Sequence, residues 1–140
     1  MTTTRGMRNN NPLNIRRVKG TFWKGEVVSP IRDKEFVEFC SLEHGIRAAF
    51  CILDTYRKKR HAVCIEDIIA RWAPPTENDT PAYIRNVCLL TNFGGKERLT
   101  ENQWPHLVRA MALIESGMSL SDELLQRSMN LYNNLKPQKP

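Results

Sequence analysis

The sequence predicts a mainly helical α+β domain with about five helices and one β-hairpin. The chain has 140 residues, the length of one ordinary domain with a single core. Apolar residues recur at helical spacing after residue 40, whereas residues 21–40 are rich in aromatic and β-branched residues. We therefore expect one domain over residues 1–140, with a frayed tail at 136–140.

The first 40 residues are expected to be largely non-helical. Residues 5–14 contain a run of three Asn followed by a Pro, which favour turns, so we predict an ordered loop there. Residues 21–28 and 34–40 are predicted to be the two strands of a hairpin, joined by a turn that contains Pro30.

Five helices are predicted in the remainder of the chain. Thr80 is expected to be the N-cap of the third, with Pro81 as its first helical residue. A capping-box pattern begins at Thr100, but Pro105 would lie too deep in that helix, so we place its start near Asn102. The predicted helices cover residues 41–61, 65–72, 80–91, 102–116 and 121–135.

The charge is unevenly distributed. The net charge is +6, and residues 1–60 hold 13 Lys and Arg against 6 Asp and Glu, whereas residues 61–140 hold 8 against 9. Such a basic field attracts nucleic acid, anionic membranes or bacterial wall polymers. No run approaches the roughly 20 apolar residues of a membrane helix, and no signal peptide is evident. We expect the protein to be synthesised in the cytoplasm and delivered to its target by another agent. We do not expect it to insert into a membrane.

Metal and cofactor sites are not expected. The four cysteines show no C-x-x-C spacing, and we expect them to be small buried side chains that stay reduced, with one or two disulfides after export as the alternative. No G-x-S-x-G, H-E-x-x-H, P-loop or dinucleotide-binding motif is present. We therefore predict no cofactor and no metal.

Glu115 is the strongest candidate for an acid catalyst. It lies within about 40° of Trp104, Val108 and Met111 around the helix, and so on an apolar stripe. It is also in the last turn, where the helix dipole and the apolar surroundings both raise the pKa of a carboxyl. If the helix frays earlier, Glu115 is solvated instead.

Glu77 is the candidate second carboxylate. It precedes a predicted helix N-terminus, where backbone N–H groups favour the ionised form. A structural role is equally compatible with this position, and the spacing leaves open whether Glu77 faces Glu115.

Six motifs in a fixed order resemble a known family. They are RGMRNNNPLNIR at 5–16, Trp23-x-Gly25, Phe36-x-x-Phe39, Glu43-x-Gly-Ile-Arg-Ala48, RWAPPTENDT at 71–80 and Ile114-Glu-Ser-Gly117. Together they resemble the small phage-derived peptidoglycan hydrolases of lysozyme-like fold, of the virion lytic protein type and similar to lytic transglycosylases. Leu13 stands where the family usually has Gly, and Ile114-Glu-Ser where it has His-Glu-Asn, which leaves the Glu intact.

The resemblance implies cleavage of the glycan strand between N-acetylmuramic acid and N-acetylglucosamine. Glu115 would protonate the leaving oxygen, and Glu77 would assist, as in a muramidase; without a second carboxylate, an anhydro sugar forms, as in a lytic transglycosylase. Because the hairpin precedes the Glu-bearing helix, the fold would be circularly rearranged. The candidate substrate-binding residues are Arg8, Asn9, Asn10, Asn11, Trp23 and Tyr83.

Each binding residue also has a structural interpretation. The Asn cluster suits sugar recognition, but it is equally compatible with a hydrogen-bonded loop that supports the hairpin. Trp23 and Tyr83 offer stacking faces for sugar rings or fill the core.

Peptidoglycan is the expected partner, reached in the periplasm or cell wall after phage lysis, from a virion or through a secretion system. An antibacterial effector would also have a cognate immunity protein. The alternatives are a peptidoglycan endopeptidase on the same fold and a non-catalytic basic module that binds wall or nucleic acid, although no nucleic-acid-binding motif is present.

Overall fold

A computed structural model describes residues 3–135. Within that range the chain forms six α-helices and one short 3-10 turn at Glu101–Gln103. The helices are α1 at Arg5–Arg8, α2 at Leu42–Arg60, α3 at Ile65–Trp72, α4 at Thr80–Thr91, α5 at Trp104–Ser116 and α6 at Asp122–Asn134. The prediction of a mainly helical domain is confirmed. The predicted frayed tail, 136–140, lies outside the described residues.

The predicted hairpin is wrong. Among residues 3–135 the sequence does not form a continuous strand, and its extended segments meet in two isolated antiparallel bridges. One bridge joins Glu26 to Phe39, across the predicted hairpin, while the other joins Arg16 to Phe36. A single bridge between residues 21–28 and 34–40 is not a strand ladder.

The backbone of residues 34–40 is shared between two partners. Val27 donates its N–H to the carbonyl of Glu38 and Cys40 donates to the carbonyl of Gly25, both at 2.8 Å, whereas other bonds join residues 34–40 to the N-terminal segment, residues 3–16. Val37 donates its N–H to the carbonyl of Ile15 at 2.9 Å, and Phe39 donates to the carbonyl of Asn9 at 2.8 Å. These N–H groups are therefore not available to residues 21–28, since each backbone N–H is a single donor.

The sequence predicts that the N-terminal segment is a loop, but its start forms the single helical turn of α1. Thr4 caps this turn, with its hydroxyl accepting a hydrogen bond from the Met7 N–H at 3.3 Å. Asn10 and Asn14 then adopt left-handed φ angles of 50° and 52°. Asn tolerates this region better than most residues, so the segment turns back after α1.

Most helix boundaries follow the capping signals in the sequence. The hydroxyl of Ser41 accepts a hydrogen bond from the His44 N–H at 3.2 Å and begins α2. Gly117 ends α5 with a left-handed φ of 64°. The capping box is present, with the Thr100 N–H donating to Gln103 Oε1 at 2.9 Å. It caps the 3-10 turn, however, so that α5 starts afterwards.

The predicted N-cap of α4 is one residue too late. Asp79 is the N-cap, and its carboxylate accepts a hydrogen bond from the Ala82 N–H at 3.2 Å. Thr80 is buried and donates its hydroxyl to the carbonyl of Ala73 at 2.6 Å. Its hydroxyl therefore links α4 to the end of α3, and Pro81 occupies the second helical position.

The core lies around α2, which packs against α5 and α6. Tyr132 of α6 makes edge-on ring contacts with Phe50 and Trp104, at centroid distances of 5.8 and 6.2 Å. The N-terminal segment covers the end of α5, where Ser116 donates its hydroxyl to the carbonyl of Pro12 at 2.7 Å. This contact fixes the position of the residue before it, Glu115.

Two further sequence predictions concern the cysteines and membranes. Cys64 is buried and Cys51 and Cys88 are half-buried, but Cys40 is exposed, contrary to the expectation of four buried thiols. Cys40 lies at a bend directly after the buried Phe39, so its side chain does not follow that of Phe39 into the core. Over residues 3–135, the helices lack the length and apolar composition needed to cross a membrane.

Candidate active site

A cleft of about 570 Å³ opens between the N-terminal segment, α3 and the end of α5. Its lining combines aromatic, cationic and acidic side chains. Two carboxylates line it, those of Glu77 and Glu115. The main aromatic lining residues are Trp23, Phe36, Tyr56 and Trp72. A concave site with apolar walls and a few charged groups is typical of small-molecule and sugar binding.

Glu115 is the most buried carboxyl of this cleft, in the last turn of α5. The hydroxyl of Tyr83 donates to Glu115 Oε2 at 3.0 Å. The side-chain amide of Asn14 donates to Glu115 Oε1 at 3.4 Å and to its backbone carbonyl at 3.2 Å. The carboxyl is thus held from two sides by neutral donors.

Burial raises the pKa of Glu115 above its ordinary value. The hydrogen bonds from Tyr83 and Asn14 and the charge of Arg16 act in the opposite direction, because they stabilise the ionised form, but the effect of burial is larger. The direction agrees with the sequence analysis. The predicted apolar stripe is also present, since Trp104, Val108 and Met111 are all buried.

Tyr83 lies in the core and not on the surface of the cleft, where a residue that stacks on a sugar ring would lie. It is 8% exposed, and its ring belongs to the core. Burial and the neighbouring charge of Glu115 raise the pKa of Tyr83, so its hydroxyl stays protonated and remains a donor. Tyr83 therefore orients Glu115 rather than offering a face to a ligand.

Asn14 is a site residue that the sequence analysis missed. Its left-handed backbone directs the side chain toward the end of α5, and the residue lines the cleft. Its side-chain oxygen is buried and has no hydrogen-bond partner among the described residues. An Asn one position after the buried Leu13, in a run rich in Asn, was the available signal, but the distance of 101 positions to Glu115 concealed the contact.

Glu77 lines the same cleft as Glu115, so the structure brings the two candidate carboxylates to one site. Glu77 is exposed and lies in a turn in which its N–H donates to the carbonyl of Pro74 at 3.1 Å. This turn directly precedes the N-terminus of α4. A catalytic role for Glu77 stays a prediction.

Asn10 and Asn11 do not line the cleft, and their amides bond to the protein backbone. The side chain of Asn11 donates to the carbonyls of Ile15 and Val37 at 3.0 and 2.8 Å and accepts from the Ile15 N–H at 2.9 Å. Asn10 donates to the carbonyl of Phe39 at 3.1 Å. The structure thus places both in the supporting role that the sequence analysis gave as the alternative to sugar recognition.

Arg8 and Asn9 are likewise outside the lining of the cleft. Arg8 is exposed and donates to the carbonyl of Thr3 at 2.7 Å. Asn9 donates to Asp33 at 3.1 Å. Arg5 donates to the same carboxylate at 2.6 and 2.8 Å, and this pairing is the main reason that the pKa of Asp33 lies well below its usual range.

Trp23 is the predicted binding residue that does line the cleft, where it is half-buried. Opposite elements contribute Tyr56 from α2 and Trp72 from α3, whose rings meet edge-on with centroids 6.3 Å apart. Aromatic faces of this kind stack on the apolar faces of sugar rings.

No protein-family model matches the sequence. The chain is 44% identical over 115 residues to Protein P5 of Pseudoalteromonas phage PM2, and the alignment covers 81% of this chain and 71% of that protein.

Proposed function

The chain belongs to the family of Protein P5 of Pseudoalteromonas phage PM2, and we propose that it cleaves the glycan strand of bacterial peptidoglycan. The bond to be cleaved lies between N-acetylmuramic acid and N-acetylglucosamine. The observation that carries the proposal is Glu115, a half-buried carboxyl of raised pKa at the side of an aromatic cleft. Glycosidic bonds are cut by such carboxyl groups acting as general acids.

Glu115 donates its proton to the leaving glycosidic oxygen. The Tyr83 hydroxyl donates a hydrogen bond to Glu115 Oε2 at 3.0 Å, while the hydrogen bond from Asn14 to Glu115 Oε1 is longer, at 3.4 Å. Oε1 is therefore the oxygen that carries the proton toward the substrate. The aromatic side chains of Trp23 and Trp72 support the adjoining sugar rings.

Two routes lead from the protonated bond to products. Glu77, on the same cleft, activates water or attacks the anomeric carbon in the muramidase route. In the lytic transglycosylase route, Glu115 itself acts next as base, and a hydroxyl of the muramic acid closes an anhydro ring. Both routes use Glu115 as the acid.

The proposal includes a lysozyme-like arrangement with a rearranged order of elements. Its support is the contact between the end of α5 and residues that lie about 100 positions earlier, through the bonds from Thr4 and Asn14. In this arrangement a helix ends in the acidic residue and faces a segment from the other end of the chain.

The site of action that we propose is the cell wall, reached from the cytoplasm by phage lysis, in a virion or through a secretion system. The support is the phage origin of the relative. Delivery through a secretion system would add a cognate inhibitor that covers the cleft.

The test is mass spectrometry of purified sacculi after incubation with the wild-type chain, Glu115→Gln and Glu77→Gln. We expect Glu115→Gln to lower the rate of glycan cleavage about 100-fold or more, since this is the usual contribution of a general acid. Glu123→Gln, which changes an exposed carboxylate on α6, is the matched control and should keep wild-type activity.

The products separate the routes and the alternative reaction. New reducing ends, together with loss of activity in Glu77→Gln, indicate hydrolysis with two carboxylates. Anhydro sugars, with activity kept in Glu77→Gln, indicate transglycosylation. Freed amino groups with intact glycan would mean that the protein cleaves peptides, and the proposal would be wrong.

A further inference from the structure

Two arginines line the cleft, Arg16 and Arg71, and they differ in whether an acidic side chain pairs with them. Arg16 is already engaged, because it pairs with Glu35 at 3.2 Å and lies over the ring of Phe36 at 5.0 Å. Arg71 forms no salt bridge with any residue in the described range 3–135, and its side chain is exposed. Arg71 is thus a cation that lines the cleft without an acidic partner in the protein.

The position of Arg71 is fixed by α3. It lies in the last turn of that helix, where the dipole favours a cation, next to Trp72 of the aromatic wall. Its charge reaches Tyr56 on the facing helix: burial raises the pKa of Tyr56, and Arg71 opposes that rise. The guanidinium therefore lies along the aromatic wall on which a sugar would stack.

A guanidinium in this position suits an anionic substituent on the sugar. Arginine binds carboxylates through two parallel hydrogen bonds, and the bond is charge-assisted. Peptidoglycan carries such carboxylates on the peptide stems of its muramic acid residues, or on the lactyl groups where the stem has been removed, whereas chitin, a polymer of N-acetylglucosamine alone, is neutral. The acidic groups of the cleft, Glu77 and Glu115, would repel these carboxylates from other positions.

We propose that Arg71 binds a carboxylate of the lactyl-peptide substituent and so makes the cleft selective for acidic glycan strands over neutral ones. This inference rests on the proposed function, because it names the substrate feature that the same cleft recognises. Arg71 is a specificity residue in this scheme, and the proton transfer remains with Glu115.

The experiment compares three soluble glycans with the wild-type chain and Arg71→Gln. The first carries intact peptide stems, the second has lost the peptides to an amidase, which frees its lactyl carboxylates, and the third is the chitin hexamer. The measured quantity is the ratio of kcat/KM on each acidic glycan to kcat/KM on chitin. Arg85→Gln, on the exposed side of α4, is the matched control for loss of one positive charge.

We expect Arg71→Gln to lower this ratio about tenfold, mainly through KM, as is typical for loss of one charge-assisted hydrogen-bonded pair. Arg85→Gln should keep the wild-type ratio. A loss limited to strands with intact stems assigns the contact to a carboxylate of the peptide, a loss limited to amidase-treated strands assigns it to the freed lactyl carboxylate, and a loss on both means that Arg71 binds either group. An unchanged ratio in Arg71→Gln on both acidic glycans overturns the inference.

Failure of the proposed function would be visible separately. If the wild-type chain cleaves none of the three glycans, the proposed function is wrong. The inference is then decided by the Kd values of the same glycans, followed through the fluorescence of the cleft tryptophans. A tenfold weaker binding of acidic strands to Arg71→Gln supports it, and equal binding to both proteins overturns it.

Discussion

At the scale of single residues, the chemistry of Glu115 depends on opposing effects on one carboxyl. Burial favours the protonated form, while the donors Tyr83 and Asn14 favour the ionised form. Because burial has the larger effect, the pKa is raised and the proton is retained at higher pH than in an exposed Glu. The two donors mainly set the direction of the carboxyl.

This balance gives a prediction for Tyr83→Phe. Removal of the hydroxyl deletes a hydrogen bond that stabilises ionised Glu115, so the pKa of Glu115 rises further. The activity of a general acid is lost as the pH rises through its pKa, and the alkaline limb of the pH–rate profile should therefore move to higher pH. The maximal rate should fall, because the carboxyl is less well oriented.

The measurement is kcat on sacculi as a function of pH. Tyr132→Phe, which changes a buried tyrosine of the α6 core, is the control and should leave the alkaline limb in place. A limb that moves to lower pH in Tyr83→Phe would show that the hydroxyl does not act on the ionised carboxylate.

At the scale of elements, the site depends on how the N-terminal segment meets the end of α5. Thr4 donates its hydroxyl to the carbonyl of Ser116 at 2.9 Å, and Ser116 donates to the carbonyl of Pro12 at 2.7 Å. Gly6 of α1 lies so close that a Cβ atom there would come within 1.9 Å of Ser116 Oγ. The backbone of α1 at Gly6 thus contacts the side chain of Ser116 in α5, directly beside Glu115.

Gly6→Ala should consequently separate these elements. The added methyl group would also lie 2.9 Å from the carbonyl oxygen of Asn11, so backbone must shift as well. We expect the free energy of unfolding to fall by about 1–3 kcal/mol, as in other overpacked sites. At a temperature where the variant is still folded, its activity should nevertheless be reduced, because Glu115 is displaced.

Urea unfolding and sacculus digestion measure the two effects. Gly94→Ala is the control, because the nearest atom to an added Cβ lies at 3.7 Å, an ordinary contact, and its stability should change by less than about 0.5 kcal/mol. If Gly6→Ala unfolds at the same urea concentration as the wild-type chain, the close approach of α1 and α5 is not present in solution.

At the scale of the whole molecule, the proposed binding to the wall and the proposed cleavage would depend on different charges. Residues 1–60 supply the excess of Lys and Arg, whereas the cleft balances the carboxylates Glu77 and Glu115 against Arg16 and Arg71. A transition state with positive charge on the sugar is favoured by carboxylates and not by cations. The basic surface is therefore suited to anionic wall groups away from the bond that is cleaved.

The corresponding prediction concerns salt. The amount of Glu115→Gln protein bound to sacculi should decrease steeply as the salt concentration rises from about 0.1 to 1 M, since the Debye length falls from about 10 to 3 Å. On this background, removing two charges as Lys59→Gln/Arg60→Gln should weaken binding at low salt more than Lys96→Gln/Arg98→Gln does. All four side chains are exposed. Equal effects of the two pairs would contradict binding to the wall through the basic N-terminal half.

The sequence alone determined the features that depend on neighbours within a few residues. Ser41, Gly117 and the apolar stripe beside Glu115 set helix ends and the surroundings of the acid, because capping and helical periodicity act over one or two turns. The periodicity also gave five helices close to their observed bounds.

Only the tertiary structure decided which distant segments meet. Residues 34–40 look like one strand of a hairpin, but Val37 and Phe39 donate to the N-terminal segment, and the bonds to residues 21–28 are confined to Gly25 and Val27. Tyr83 and Asn14 reach Glu115 across 32 and 101 positions, and no local pattern encodes those pairings. A backbone N–H or a carboxyl oxygen bonds to whichever partner the packed core brings within reach, and that choice is made by the whole chain.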